Sequence, residues 1–592
     1  MKNKLIYIFT TLSLLIFNIS CNDDKLDILP INILTDDQVF QNRAGIEAYM
    51  ASLYDKLPLD GFNLIPILSN STDESMSYLG NAKLTSISDG TWFPWWGYDH
   101  IRNVNDLIGK LPNANVSDAE KNSLLGEAKF IRAFYYFGLG KRYGGIPIIK
   151  EVQNFTGDNI AELQVPRNTE KEVWDFIAIE LDEAASLLPE TNISGRATKY
   201  AALALKSRAM LYAASVAKYG SVMLNGLVGV DPAEATHYWQ SSYDAAKQVI
   251  DSGQHSLYMK SPDKEINFTQ LFIDTDNPEA IFSVYYQYPD KTHSYDPAVL
   301  PFSVRSPGGD GSQVGPTLEL VEQFEYLDGT SGTLNLNNPD GSPIFYEHPT
   351  DLFKNKDPRC LATVIVPFAK FKDNVIDVQA GIYDQGVKWE AGDYSALYNK
   401  TTHQPDNTNG TLHIVGRNGL ASSLLESTQT GFYIRKYLDY NLEQARAGRP
   451  DHQWIELRYA EVLLNYAEAS VELDKISDAK WATNEIRDRA GIKLLDDAEV
   501  TLERVRHERL VELAFEGHRW WDYRRWRISD KVLNNSFFTA LKPYFDIQAN
   551  AYRFEKEISG IYPKTFDVKV YYERIDPGEI AKNPNLIQNP NY

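Results

Sequence analysis

The sequence predicts a mainly α protein. The expected fold is a tetratricopeptide-like α/α superhelix of about four helical pairs, with a large irregular, loop-rich insertion carrying short strands. Three observations point to it. Capped amphipathic helices follow one another in antiparallel-pair spacing over the first part of the chain, and such pairs stack into solenoids. The periodicity then stops over residues 254–450, which hold 14 of the 28 prolines and 15 of the 36 glycines. Helical texture returns after residue 450 and completes a last pair.

The elements follow in order. Asp36 or Asp37 caps a first helix running to Lys56, and Pro58 stops it. Trp96 to Leu111 is a second, ended by Pro112. Ser117 caps a third, which runs to Tyr143 and stops at Gly144-Gly145. This helix is apolar on two faces: Ala128, Ile131, Tyr135 and Gly138 form one, Phe130, Phe134 and Phe137 the other. It is therefore sandwiched between neighbours. Thr169 or a neighbour opens a fourth helix through Leu188, and Thr198 a fifth to about Lys218. Pro232 starts a sixth that reaches Ser252, with Gly253 beyond its end.

Within the insertion, Ala280 to Tyr286, Ala362 to Phe368 and Gly431 to Tyr437 read as short strands. A long loop-rich segment in a helical frame is where binding surfaces concentrate. After it, Tyr459, Val462, Tyr466, Ala469 and Leu473 make one apolar stripe. Ser477 opens the partner helix, which reads through Arg489 to Gly491. Helical stretches Leu502 to Phe515 and His518 to Trp526 follow, and the tail is rich in Asn and Pro. The resulting division is 1–20, 21–36, 37–253, 254–450 and 451–592.

The first two segments are an address. Lys2 and Lys4 precede an apolar run from Leu5 to Phe17, too short to span a bilayer, and Cys21 follows directly. That arrangement resembles a bacterial lipobox, in which Cys21 is acylated and becomes the first mature residue. Residues 21–36 are then a polar tether from the lipid. With Cys21 so used, Cys360 has no disulfide partner, and a buried, inert thiol is its expected state. The net charge of −21 argues against a nucleic-acid binder, whose affinity rests on Lys and Arg neutralising phosphates.

Catalytic motifs are absent: no His-Glu-x-x-His helix, no Gly-x-Ser-x-Gly elbow, no Walker loop. Gly308 to Gly315 is a glycine-rich turn. The ten His are dispersed, with no two at metal-ligand spacing. No cofactor is expected. Asp274 and Asp276 offer oxygen ligands at alternating positions, a weak calcium pattern that lacks the glycine and distal glutamate of an EF-hand.

Motifs along nearly the whole mature length resemble the SusD/RagB family of outer-membrane nutrient-binding lipoproteins. They include Glu127-Ala128-Lys129-Phe130-Ile131-Arg132-Ala133-Phe134-Tyr135-Tyr136, Arg142-Tyr143-Gly144-Gly145-Ile146-Pro147 and Gly195-Arg196-Ala197-Thr198-Lys199. Pro316 to Val321, Asp357-Pro358-Arg359, Arg458 to Leu464, Glu508-Arg509, Phe515 to Arg519, Asp522 and Arg525-Trp526 continue the series. The resemblance implies four tetratricopeptide-like pairs with an irregular second lobe. It also implies a lipid-anchored protein exposed on the outer membrane, which captures oligosaccharides and delivers them to a SusC-like TonB-dependent barrel. The acidic residues after Cys21 resemble the surface-export signal of Bacteroidetes lipoproteins. RagB-like relatives suggest peptide capture as an alternative, and a surface glycosidase is the alternative from another class.

The charged residues of these motifs read as scaffold. Arg132 and Arg142 are expected to pair with buried carboxylates such as Glu127 or Glu516, and Glu508, Arg509, Glu512, Glu516 and Arg519 to form a helix-bound ion network. The cluster Trp520, Trp521, Tyr523 and Trp526 falls at helical spacing and is expected in the core. Ligand contact is expected elsewhere. Sugars present apolar faces and a hydroxyl rim, so flat aromatics with Asp, Asn and Arg nearby suit them. Trp92 and Trp95 lead, with Tyr98 and, on the approach to them, Asp73, Tyr78 and Asn81. The family resemblance places glycan-contacting aromatics in this same region. Trp96 is expected to start the second helix and pack inward. In the insertion, Trp389 with Tyr394 is the second focus, and Tyr295 and Arg417 are further candidates.

Overall fold

The structure is a computed structural model that describes residues 39–40, 42–78, 86–88, 90–91, 93–305, 311–420, 427–442 and 446–592. Cys21, Asn81 and Trp92 lie outside the described residues, as do residues 306–310 of the glycine-rich turn.

The helical frame follows its caps. Val39 and Phe40 are helical, and helix α1 (Arg43–Tyr54) follows, opening on Asn42, whose side chain accepts from Gly45 N. Helix α2 is Tyr98–Lys110. Helix α3 (Asp118–Tyr143) opens on a reciprocal Ser117–Glu120 capping box, and α4 (Glu170–Leu187) on a matching Thr169–Glu172 box. Helices α5 (Lys199–Tyr219) and α6 (Ala235–Ser252) follow, α6 ending at left-handed Gly253. Helix α7 (Tyr459–Glu472) packs against α6, so the last pair stacks on the third although residues 253–458 lie between them. Its partner α8 (Ile476–Ala490) ends at left-handed Gly491. Helices α9 (Leu502–Leu513) and α10 (His518–Arg525) close the frame, with Trp520, Trp521, Tyr523 and Trp526 buried as expected. On α3, Ala128, Phe130, Ile131, Phe134, Tyr135 and Phe137 are all buried, so both faces are covered.

The strands named below are β1 (Ser75–Met76), β2 (Ser86–Ile87), β3 (Ala280–Val284), β4 (Gly315–Pro316), β5 (Gly381–Asp384), β6 (Val387–Trp389), β7 (Trp454–Arg458), β8 (Ser536–Asp546) and β9 (Ala551–Phe566). Two of the expected strands shrink: the stretches from Ala362 and from Gly431 contribute only Val364–Ile365 and Tyr433–Ile434, which pair with each other. The larger departure is β8 and β9. They form a long antiparallel hairpin in the C-terminal segment, where the sequence reading placed helices and a polar tail. This hairpin is the centre of a five-stranded sheet of order β2-β9-β8-β5-β6, with β2 and β5 added in parallel.

Two large apolar cores result, one within the helices and one between the insertion and α9. A buried ion network welds them. Arg458, at the end of β7, meets Glu279 at 2.6 Å, Glu512 at 2.7 Å and Glu516 at 2.6 Å. Arg359 joins Asp357, Glu508 and Glu512; Arg487 joins Glu508 and Glu325; Arg489 joins Glu279 and Glu512. Lys436 reaches Glu516, and Arg504 reaches Glu325, so the charges balance. The expected network around Glu508, Glu512 and Glu516 thus exists, but its cations come from distant segments. Arg509 instead pairs with Asp522 at 2.8 Å and Arg519 with Asp73 at 2.9 Å. The partners expected for α3 are also corrected. Arg132 pairs with Glu180 at 2.8 Å, Glu127 with Arg196 at 2.7 Å, and Arg142 donates to the carbonyls of Phe93 and Gly138. Cys360 is a buried free thiol whose pKa burial pushes up to about 12, as an inert thiol requires.

Candidate functional site

The residues selected from the sequence fall in three surroundings. Asp73 is part-buried and held by the Arg519 guanidinium. Burial alone would raise its pKa, but Arg519 more than offsets that and keeps it below the ordinary aspartate value. Tyr295 is buried against Phe62, with its hydroxyl directed to the Lys436 carbonyl. Trp95 is half-buried on Tyr135 and His100, and its backbone N–H donates to the Tyr143 hydroxyl. Tyr98 opens α2 and donates to Pro147 O at 2.7 Å. Trp96 lies before that helix rather than in it, and packs on Tyr98 and Tyr143. These groups are tied into the frame and its seam. Asp274 and Asp276 share the ammonium of Lys260, at 3.7 and 3.0 Å.

The remaining candidates stand further out. Trp389 ends β6, half-buried, its ring 5.6 Å from that of Tyr398. Tyr394 stacks flat on His413, with centroids 4.0 Å apart and planes 7° from parallel. Arg417 is exposed. Both its neighbours in the chain are fixed: Gly416 N donates to Gln379 O, and the Asn418 side chain bonds Ser303 at both its backbone N–H and its hydroxyl. With the backbone held on both sides, only the Arg417 side chain itself is left to be ordered on binding.

The hairpin decides how these candidates relate. Strand β2, next to the Trp-rich segment, pairs with β9 at Thr565 and Phe566. Further along, a Cβ on Gly560 would meet the Met76 side chain of β1, two residues before Tyr78. Ser559 donates to Gln429 O, and Leu541 N to Thr430 O. Ala380 N donates to Pro543 O, beside the segment that holds the Arg417 loop, and β5 pairs with β8 over Tyr544–Asp546, carrying β6 and Trp389 beyond it. Strand β2 and Trp389 therefore attach at opposite ends of the hairpin. Ser536 pairs with Lys564 at one end and Tyr544 pairs with β5 at the other, so strand rise places roughly 25 Å between them. The Arg417 loop adjoins the Trp389 end through Gln379 and Ala380, and the strand leading to Tyr78 adjoins the other end at Gly560.

Sequence reasoning missed the spine. It also missed a groove between α1 and β3, lined by Tyr54, Arg196, Phe282, Tyr285 and Lys291. The motif that supplies Arg196 was legible, but its proximity to Tyr285 was not, because β3 lies across the frame from it in sequence.

Comparison with known proteins decides the family. The model described as "SusD family" matches residues 278–592, more than half of the chain. The chain belongs to the SusD family. A second model, "Starch-binding associating with outer membrane", matches residues 67–211 of this SusD-family protein. A SusD-like protein of Bacteroides ovatus is 24% identical over the whole chain and 92% of its own length, and SusD-like protein P2 of Formosa agariphila is 24% identical over 99% of both. Among solved structures, a SusD-like protein from Bacteroides fragilis is 25% identical, with a TM-score of 0.72 over 95% of this chain and all of that one. A structure titled as a laminarin-binding SusD-like protein has a TM-score of 0.59 at 18% identity, covering 93% of this chain and all of that one. These likenesses agree with the tetratricopeptide-like frame and with membership of a glycan-binding, outer-membrane-associated family.

Proposed function

We propose that this SusD-family protein is a glycan-capturing surface lipoprotein: Cys21 anchors it by acyl chains in the outer membrane, and it delivers oligosaccharides to a SusC-like TonB-dependent barrel. It binds and does not cleave. The observation that carries the reading is the order of loops along the β8–β9 hairpin. The strands leading to the Trp-rich segment and to Tyr78, the Arg417 loop and the strand that ends at Trp389 attach along one spine, a layout suited to an extended chain of sugars. The family's description and the laminarin-binding relative support a carbohydrate as the ligand. Net charge of −21 favours neutral glycans over sulfated ones.

Calorimetry with a panel of neutral oligosaccharides, laminarin-derived ones included, tests the site. Trp92→Ala, Trp389→Ala and Arg417→Ala each weaken the cognate glycan about tenfold or more, close to 1.4 kcal/mol, while Arg417→Ala leaves the melting temperature unchanged. Wild-type affinity in all three variants rejects the site. Co-purification of the detergent-solubilised protein with a TonB-dependent barrel tests the partner, and loss of membrane association in Cys21→Ser tests the anchor.

A further inference from the structure

Three metal-binding side chains that the sequence scatters are brought together next to the β3–β7 pair. Trp454 pairs with Val284 in that ladder, and His293 N donates to Pro450 O at 3.0 Å just beyond it. This sets His293 beside His452, with ring centroids 4.4 Å apart and planes near perpendicular. A short helix, Tyr295–Val299, turns Asp296 back towards both rings. All three residues are more than nine-tenths buried, with exposures of 6%, 0% and 8% for His293, Asp296 and His452.

Their facing atoms are unsatisfied. One ligand atom from each residue lies within 4.8 Å of the other two. Among the described residues, His293 Nε2, His452 Nε2 and Asp296 Oδ1 have no hydrogen-bond partner, and His452 Nε2 stands 3.8 Å from Asp296 Oδ1, beyond bonding distance. His293 Nδ1 receives only a long 3.3 Å bond from Tyr295 N. Buried polar atoms are normally paired, so three orphans around one point call for an occupant.

We propose that His293, Asp296 and His452 form a buried three-ligand site for a divalent transition metal of zinc's class. Two imidazoles and one carboxylate are a nitrogen-rich set that suits zinc and not calcium, which takes oxygens. Zinc bonds of about 2.0–2.2 Å put ligand atoms roughly 3.4 Å apart, so the three groups need to close by about an ångström. Aromatic rings wall the site: Phe62 stacks on His293 at 4.0 Å and meets His452 edge-on at 5.0 Å. Such a metal pins the start of the segment that leads to Phe302 and Arg305, which neighbour the Arg417 loop through Ser303 and Asn418.

The test uses tag-free mature protein, stripped with chelator and titrated with Zn2+ against a chromophoric competitor. One zinc binds per chain and raises the melting temperature, and Co2+ in its place gives the ligand-field bands of a low-symmetry nitrogen–oxygen site. His452→Phe and Asp296→Asn each lower zinc affinity at least about a hundredfold. Absence of stoichiometric zinc uptake by the wild-type chain overturns the proposal, and so does wild-type affinity in both variants. Should a variant fail to fold, the cobalt spectrum of the unmodified chain decides alone: featureless absorption means no site.

Discussion

The helical frame and the sheet-bearing lobe are held together by different physics. In the frame, stability is local and repeated. Ser117 and Thr169 cap their helices reciprocally, Gly253 and Gly491 end theirs, and each helix packs on its neighbour in the stack. In the lobe, strands of two or three residues cannot hold themselves, since isolated short pairings are marginal in water. They are held from outside, by the β8–β9 hairpin supplied by the C-terminal segment and by the charge network in which Arg458, Glu512 and Glu516 meet Glu279, Arg359 and Lys436. Local rules build the scaffold, and long-range contacts build the surface proposed to bind ligand.

Breaking the weld has the largest expected effect. Arg458→Met leaves Glu279, Glu512 and Glu516 short of a counter-charge in a buried site and costs about 3–5 kcal/mol. Urea unfolding followed by hydrogen exchange shows amides of 280–456 opening before those of α3 to α5. Uniform loss of protection across both regions instead means that frame and lobe share one stability.

A pH experiment sharpens the comparison at the seam. Glu74 is buried, accepts from Phe515 N and has its pKa raised by burial to about 7 from 4.5. A raised carboxylate pKa stabilises the fold fully below about pH 4.5, and that contribution fades as pH rises through 7. Above pH 7 the folded protein carries a buried charge flanked by that of Asp73, with Arg519 as partial compensation. Glu74→Gln keeps the acceptor and removes the charge. It matches wild type below pH 4.5 and exceeds it by about 2–3 kcal/mol at pH 8. Parallel stability curves for the two proteins across that range exclude this role.

The smallest effect belongs to the frame's redundancy. Thr169→Ala removes one capping box and costs about 1 kcal/mol. Thermal unfolding falls by a few degrees at most, and glycan affinity is unchanged. A change in affinity would mean that the frame's ends are coupled to the binding surface.

Legibility of the sequence follows the same division. Caps at Ser117, Thr169 and Thr198 and stops at Gly253 and Gly491 were readable, because helix signals lie within a few residues of what they control. Asp36 and Asp37 lie outside the described residues; Val39 and Phe40 just after them are helical, and Asn42 caps the stretch Arg43–Tyr54. The hairpin escaped notice because Ser536–Asp546 interleaves buried and half-exposed residues without strict alternation and includes Pro543, which argues against a central strand. At the site, residue types were readable but grouping was not. Asp73 and Tyr295 suit sugar as chemistry, yet the fold uses one for Arg519 and buries the other beside Phe62.

The sequence by itself therefore determined the helices, their pairing, the inert Cys360 and the family-bearing motifs, since each depends on neighbours in the chain. Only the tertiary structure decided which cations meet Glu508, Glu512 and Glu516, that β2 and Trp389 attach at opposite ends of one hairpin, and that His293, Asp296 and His452 share a point. Those are meetings between residues far apart in sequence. Side-chain type alone carries no information about them, because distance in the fold is set by packing and not by position along the chain.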